Sequence, residues 1–149
     1  MTWHLLILLF STQANQVDVV TVKVPNSVIK AGTTSTFIIQ ISVKQGFHIQ
    51  ANQIKDEFLI PTTVAIESSE NIKPGKALFP KPNKFRLEGT NDWMEVYDSS
   101  FQIKIPVKVG KQMERGSYNF KAELRYQACD AKTCFFPKTI VFAIPCQVE

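Results

Sequence analysis

From Val17 to Val24 the chain alternates apolar and polar residues, Val-Asp-Val-Val-Thr-Val-Lys-Val, before Pro25-Asn26 breaks the run. A period of two puts successive side chains on opposite faces, so this segment reads as a half-buried strand. The pattern recurs. Thr36 to Val43 is rich in β-branched residues, Gln45-Gly46 turns into Phe47-His-Ile, and Thr62 to Glu67 follows Pro61. Phe85 to Glu88, Phe101 to Val109, Ser117 to Tyr126 and Phe135 to Ile144 bring the total to about eight strands. Lys73-Pro74-Gly75 and Pro80-Lys81-Pro82-Asn83 bracket an irregular stretch between them. Asn52 to Phe58 is the one segment with some helical character, and Pro61 cuts it short. Short strands with turn signals at near-regular spacing predict an all-β sandwich.

The 149 residues, 44% of them hydrophobic, suffice for one domain with a real core. The formal charge is only +4, and the lysines are scattered rather than massed. No nucleic-acid partner is expected from that distribution. The opening run from Trp3 to Phe10 is apolar, with small residues Thr12 and Ala14 behind it. It has the length of a signal-peptide core and is too short to span a bilayer, which takes about 20 apolar residues. Residues 1–14 are therefore expected to be a signal peptide, a first strand being the other reading. The domain is expected over 16–149, exported and soluble after cleavage.

There are three cysteines. Cys129 and Cys134 are separated by four residues, with strand-like sequence on both sides. Cysteines flanking a hairpin turn face each other at a Cα separation of roughly 4.5–5.5 Å, within disulfide range. Such a pair can open and close with little backbone movement. As a structural staple it is weak: closing a six-residue loop restrains the unfolded chain by only about 2 kcal/mol. Exposed, hairpin-spanning disulfides are also the more reducible ones. Arg125, Lys132 and Lys138 flank the pair against one acid, Asp130, and cations favour the thiolate. Tyr126, Phe135 and Phe136 supply an aromatic flank, and one of the two adjacent phenylalanines is expected to face outward. Cys146 reads as a partly buried free thiol or a tail residue.

Other chemistry finds little support. Zinc needs four ligands, and His4 and His48 are the only histidines, so neither metal nor cofactor is expected. A Cys–His catalyst would have to use His48, whose setting in Gly-Phe-His-Ile-Gln reads as a strand end.

Tyr126-Gln-Ala-Cys129 and Cys134-Phe-Phe-Pro137 together resemble the N-terminal periplasmic domain of the thiol:disulfide interchange protein DsbD. Gly46-Phe-His-Ile-Gln-Ala-Asn52, Leu59-Ile-Pro-Thr-Thr-Val64, Phe79-Pro-Lys81, Glu95-Val-Tyr97 and Ile105-Pro-Val-Lys-Val109 occur in that family's order. The resemblance implies an immunoglobulin-like sandwich with Cys129 and Cys134 as its redox pair. It implies a protein-disulfide reductase component that takes electrons from a membrane thiol transporter. Its acceptors would be periplasmic thioredoxin-like proteins, such as disulfide isomerases and cytochrome c maturation factors. The family carries an aromatic cap on the loop before Glu95-Val-Tyr97, which makes Trp93 the candidate cap and Tyr97 the second. The best-known members space their cysteines one residue further apart. Their chains also continue into transmembrane segments and a thioredoxin-like domain, so a stand-alone module would need a separately encoded transporter as donor.

The competing reading is a secreted immunoglobulin-like binding module whose disulfide is purely structural. Cys129→Ala/Cys134→Ala separates the two. The redox reading expects a folded protein, by circular dichroism, that has lost thiol–disulfide exchange; loss of folding with no redox phenotype supports the binding module.

Overall fold

The computed structural model describes residues 18–149. The expected signal peptide lies outside the described residues. Twelve strands, numbered in chain order, form three four-stranded sheets. The first sheet runs β1 (Val20–Lys23), β3 (Thr34–Val43), β9 (Ser100–Val109), β6 (Ile72–Pro74). The second runs β2 (Ser27–Ile29), β12 (Lys138–Val148), β10 (Gly116–Tyr126), β5 (Thr63–Ile66). The third runs β11 (Ala128–Cys129), β4 (His48–Gln50), β8 (Met94–Tyr97), β7 (Asn83–Phe85). Pairing is antiparallel except at the edge, where β2 lies parallel to β12.

The all-β, immunoglobulin-like sandwich is the architecture expected. The extra strands are β2, β6, β8 and β11, each of two to four residues. Runs that short carry too few alternations to stand out in sequence. Residues 52–58 form bends and turns, and no helix occurs among the described residues.

The first two sheets make the core. On β3, Phe37, Ile39, Ile41 and Val43 are buried while Gln40 and Ser42 point to solvent. Ile103, Ile105, Val107 and Val109 repeat the pattern on β9, and Ala122, Leu124 and Tyr126 do so on β10. Phe37 reaches across to the ring of Phe120 on β10, with centroids 5.9 Å apart.

The third sheet grows from the ends of the other two. β4 follows β3 through a turn at Lys44 to Phe47, in which Gly46 takes a positive φ of 85°. β8 runs into β9 through Asp98-Ser99, with Ser99 in the left-handed region at φ 57° and its carbonyl accepting the Val43 N–H. β11 follows directly on β10. One end of the sandwich is thus closed by a sheet drawing strands from both layers.

Phe37 is fully buried between the layers. Phe37→Ala should lower unfolding free energy by about 3–5 kcal/mol, because the surrounding rigid strands can close the cavity only in part. Urea denaturation measures this; a loss below about 1 kcal/mol would mean that the sheets can collapse onto the gap.

Candidate functional site

The β10–β12 ladder ends where Tyr126 meets Lys138. Pro137 has no N–H to extend it. The regular ladder breaks at Gln127, and the chain beyond it gains β4 as a second partner, Ala128 opposite Ile49 and Cys129 opposite His48. Gln127 holds this junction in place. Its backbone carbonyl accepts the Gln50 N–H at 3.0 Å. Its side-chain amide accepts from the Ile60 N–H at 2.8 Å and donates to the Phe135 carbonyl at 3.0 Å.

The turn that follows is organised by Asp130. Its carboxylate accepts the N–H groups of Lys132 (2.8 Å) and Thr133 (2.7 Å), an aspartate turn that fixes the tip locally. Those two backbone donors hold the Asp130 pKa below its ordinary value. The Asp130 N–H reaches the Thr133 carbonyl, and the Phe135 N–H reaches that of Ala128. Cys129 and Cys134 consequently face each other as an antiparallel bridge, with Cα atoms 3.9 Å apart, and form a disulfide.

The two sulfurs have unequal surroundings. Cys129 is fully buried, whereas Cys134 is partly exposed. Cys134 opens onto a cleft of about 740 Å³ walled by Val19, Phe47, Tyr126, Phe135, Phe136 and Lys138. Phe136 is 92% exposed and Phe135 40%, the latter leaning on Phe47 at 6.2 Å. Both rings are exposed because this segment is not a strand, so the alternation that would have turned one inward does not apply.

Residues paired directly across an antiparallel ladder project to the same side. The third sheet therefore has two chemically different faces. Ala128, Ile49 and Tyr97 take the core face. Cys129, His48, Gln50, Val96, Met94 and Phe85 take the other. Tyr97, the second candidate cap, is thus a core residue. It stacks between Phe79 and Phe101, and its hydroxyl bonds to Asn52 and Pro80. Burial, the main cause, raises its pKa.

Trp93 belongs to the loop of residues 86–93 between β7 and β8. That loop touches the cysteine turn where the Glu88 N–H meets the Ala131 carbonyl at 3.0 Å. The indole is 64% exposed, with the Arg86 guanidinium over its ring at 5.3 Å. It borders a second cleft whose wall includes Gln50 and Met94. Tyr126 is buried in the core and forms part of the first cleft's wall. Of the three cations, Lys132 is in the turn and Lys138 borders the cleft, while Arg125 is exposed on β10 opposite Thr63 and Thr139. Cys146 is not a tail residue. It is buried in β12, beside Ser27 of β2, and burial raises its thiol pKa.

Sequence reasoning assigned Gln50 no role of its own and brought in His48 only to argue against a zinc site and a Cys–His catalyst. Both are buried on the sulfur-bearing face. The His48 ring packs on Phe85 at 3.7 Å, and its Nε2 has no hydrogen-bond partner among the described residues. The Gln50 amide nitrogen is 3.2 Å from Cys129 Sγ, 3.9 Å from Cys134 Sγ and 3.8 Å from Met94 Sδ. The available signal was their spacing: two polar residues two apart in a strand with no turn composition must share a face.

A family model described as "Thiol:disulfide interchange protein DsbD, N-terminal" matches residues 14–145. No individually curated protein matches the sequence. Among solved structures, the N-terminal periplasmic domain of ScsB from Proteus mirabilis is similar at a TM-score of 0.56 and 13% identity. That match covers 84% of this chain and 44% of the ScsB chain, so this chain spans less than half of its length. The reduced DsbD N-terminal domain of Neisseria meningitidis gives a TM-score of 0.49 at 16% identity, covering 76% and 79% of the two chains.

Burial lowers the His48 pKa from 6.5, against the opposing pull of Asp98 and Asp130. The unfolded chain then binds the proton more tightly than the folded one. Stability should therefore fall as pH drops below about 6.5 and be indifferent to this group above it. Asp130, with its lowered pKa, adds a separate loss at lower pH, which begins at the ordinary carboxylate pKa and ends at its own lower one. Urea midpoints across the imidazole range should slope less in His48→Phe; an unchanged slope would show that His48 titrates as it does in water.

Proposed function

The chain belongs to the N-terminal domain family of the thiol:disulfide interchange protein DsbD, and on that premise we propose that it is a periplasmic electron-transfer module working through Cys129 and Cys134. The observation that carries this reading is the unequal burial of one disulfide. A staple has no use for one sulfur open to a cleft and the other sealed; an exchange site does, because it must be entered from one side.

A donor thiolate, from a membrane thiol transporter, attacks Cys134 Sγ. A mixed disulfide forms, the Cys129–Cys134 bond breaks, and its electron pair leaves on Cys129. The donor's second thiolate then attacks the donor's own sulfur in that mixed disulfide and releases Cys134. The domain gains two electrons and, after protonation of both thiolates, is a dithiol. In the second half, the Cys134 thiolate attacks the disulfide of a thioredoxin-like acceptor. Cys129 displaces the acceptor from Cys134, and the Cys129–Cys134 disulfide returns. The apolar rim of Phe135, Phe136 and Phe47 suits a partner that presents its own cysteines on a flat, uncharged surface. In this reading Trp93 and its loop shield the site from the other flank.

Single serine variants separate the roles. Cys129→Ser keeps the accessible thiol without its resolving partner, so it should accumulate a mixed disulfide with a thioredoxin-like acceptor on a non-reducing gel. Cys134→Ser should accumulate little. Equal trapping by both, or trapping by Cys134→Ser alone, would overturn the assignment; trapping by neither would overturn the exchange function.

A further inference from the structure

Gln50 is expensive for a residue in its position. Its side chain is fully buried, and its Oε1 has no hydrogen-bond partner among the described residues. A buried, unpaired amide oxygen bears the full cost of its lost hydration. The nitrogen fares little better, since its neighbours are three sulfurs, all weak acceptors. Leucine or methionine would fill the same space without the penalty. The backbone of Gln50 is nonetheless held firmly. The Gln50 N–H bonds to Gln127, and its carbonyl accepts from the buried Thr62 hydroxyl. The side chain is therefore anchored by a strand pinned on both sides, and it is aimed at the disulfide.

We propose that Gln50 is matched to the reduced state of the pair: it stabilises Cys129 when the disulfide opens, making the buried sulfur the better leaving group and the dithiol the better-served state. The proposal rests on the exchange reading above. When a thiolate attacks Cys134, the bond's electron pair passes to Cys129 Sγ, in a site that excludes water. An unaided thiolate there is disfavoured by desolvation. The Gln50 Nε2–H, already 3.2 Å away, becomes a charge-assisted donor to that sulfur as it gains charge. When Cys129 later takes up a proton, its S–H is a new donor, and the unpaired Oε1 is an acceptor that a rotation of the amide presents to it. Both protonation states of reduced Cys129 thus find a partner, whereas the disulfide leaves one amide end unmet. Cys134 needs no such help, because it reaches solvent. The amide also lies nearer Cys129 than Cys134, at 3.2 Å against 3.9 Å.

The test uses small thiols, so that it does not depend on finding the natural partners. In Gln50→Leu the rate of disulfide reduction by dithiothreitol should fall about tenfold, since a leaving thiol of higher pKa leaves more slowly. The equilibrium with glutathione should move about tenfold toward the disulfide, a potential about 30 mV more negative. In a Cys134→Ser background, the ultraviolet thiolate absorbance of Cys129 should titrate at higher pH once Gln50 is replaced. Thermal stability of the oxidised form should hold or rise, because an unmet polar group has gone. Gln50→Met serves the same comparison if the leucine variant folds poorly. A folded variant with unchanged rate, equilibrium and Cys129 titration would overturn the proposal, even if the wild-type protein exchanges with thioredoxin-like partners. Conversely, failure of those partners to react, with the small-thiol effects intact, would overturn the function and leave the role of Gln50 standing.

Discussion

Two residues of backbone pairing decide the character of this molecule. After Tyr126 the β10 strand could have continued along β12 into an ordinary hairpin end. Past a break at Gln127 it joins β4 while still pairing with the returning segment, so that Cys129 lies between His48 and Cys134. A cysteine pair at a free hairpin tip would have both sulfurs in water. Docked on the third sheet, Cys129 lies beneath the turn and only Cys134 remains partly open. The unequal sulfurs, the apolar cleft and the polar neighbours on β4 all follow from that second partner. The junction is secured by Gln127, which satisfies groups from Gln50, Ile60 and Phe135 at the point where the hairpin ladder is interrupted. Backbone polar groups freed from one sheet must find another partner, and here side-chain and cross-sheet bonds supply it.

The long strands were legible in the sequence because each buries one face. Thr36 to Val43 and Phe101 to Val109 announce themselves through alternation, and they are the central pair of the first sheet. The disulfide was legible for a similar reason, since four residues between two strand ends leave the cysteines little choice of geometry. The third sheet was not legible as a unit. Its strands are two to four residues long and come from three separate parts of the chain. Met94 to Tyr97 carries too few residues to show a period. Phe135 to Pro137 resembles the start of the final strand, yet it lies outside the ladder, because the register of β12 begins only at Lys138. The roles of His48 and Gln50 depend on which strand β11 joins, and that is a tertiary choice with no local signature. The scattered cations near the cysteines illustrate the same limit. Arg125 is four residues from Cys129 in the chain, but it lies on the ordinary β10 ladder, before the tip departs.

Polar groups beneath the disulfide bear on why the site is stable enough to persist and open enough to react. An apolar floor would favour the oxidised form, which has no hydrogen to donate and no charge to solvate. A floor with His48 and Gln50 costs stability in the disulfide state, because the imidazole Nε2 and the amide Oε1 both lack partners there. Small domains hold only about 5–15 kcal/mol in reserve, so two such groups are a substantial concession. The surrounding core makes it affordable: the buried rows of β3, β9 and β10 pack two complete layers behind the third sheet.

The third cysteine could be a hazard for an exchange site, since any accessible thiol near a mixed disulfide can capture it. The fold removes Cys146 in two ways. Lys138 is the first residue of β12 and Cys146 the ninth, so the strand carries it about 26 Å from the cysteine turn at 3.3 Å per residue. Burial against the core then raises its pKa and keeps it as the unreactive thiol. A free cysteine in the same strand next to Pro137 would compete with Cys129 for Cys134. At the far end of the sandwich it is only a small apolar residue filling space beside Tyr118 and Ser27.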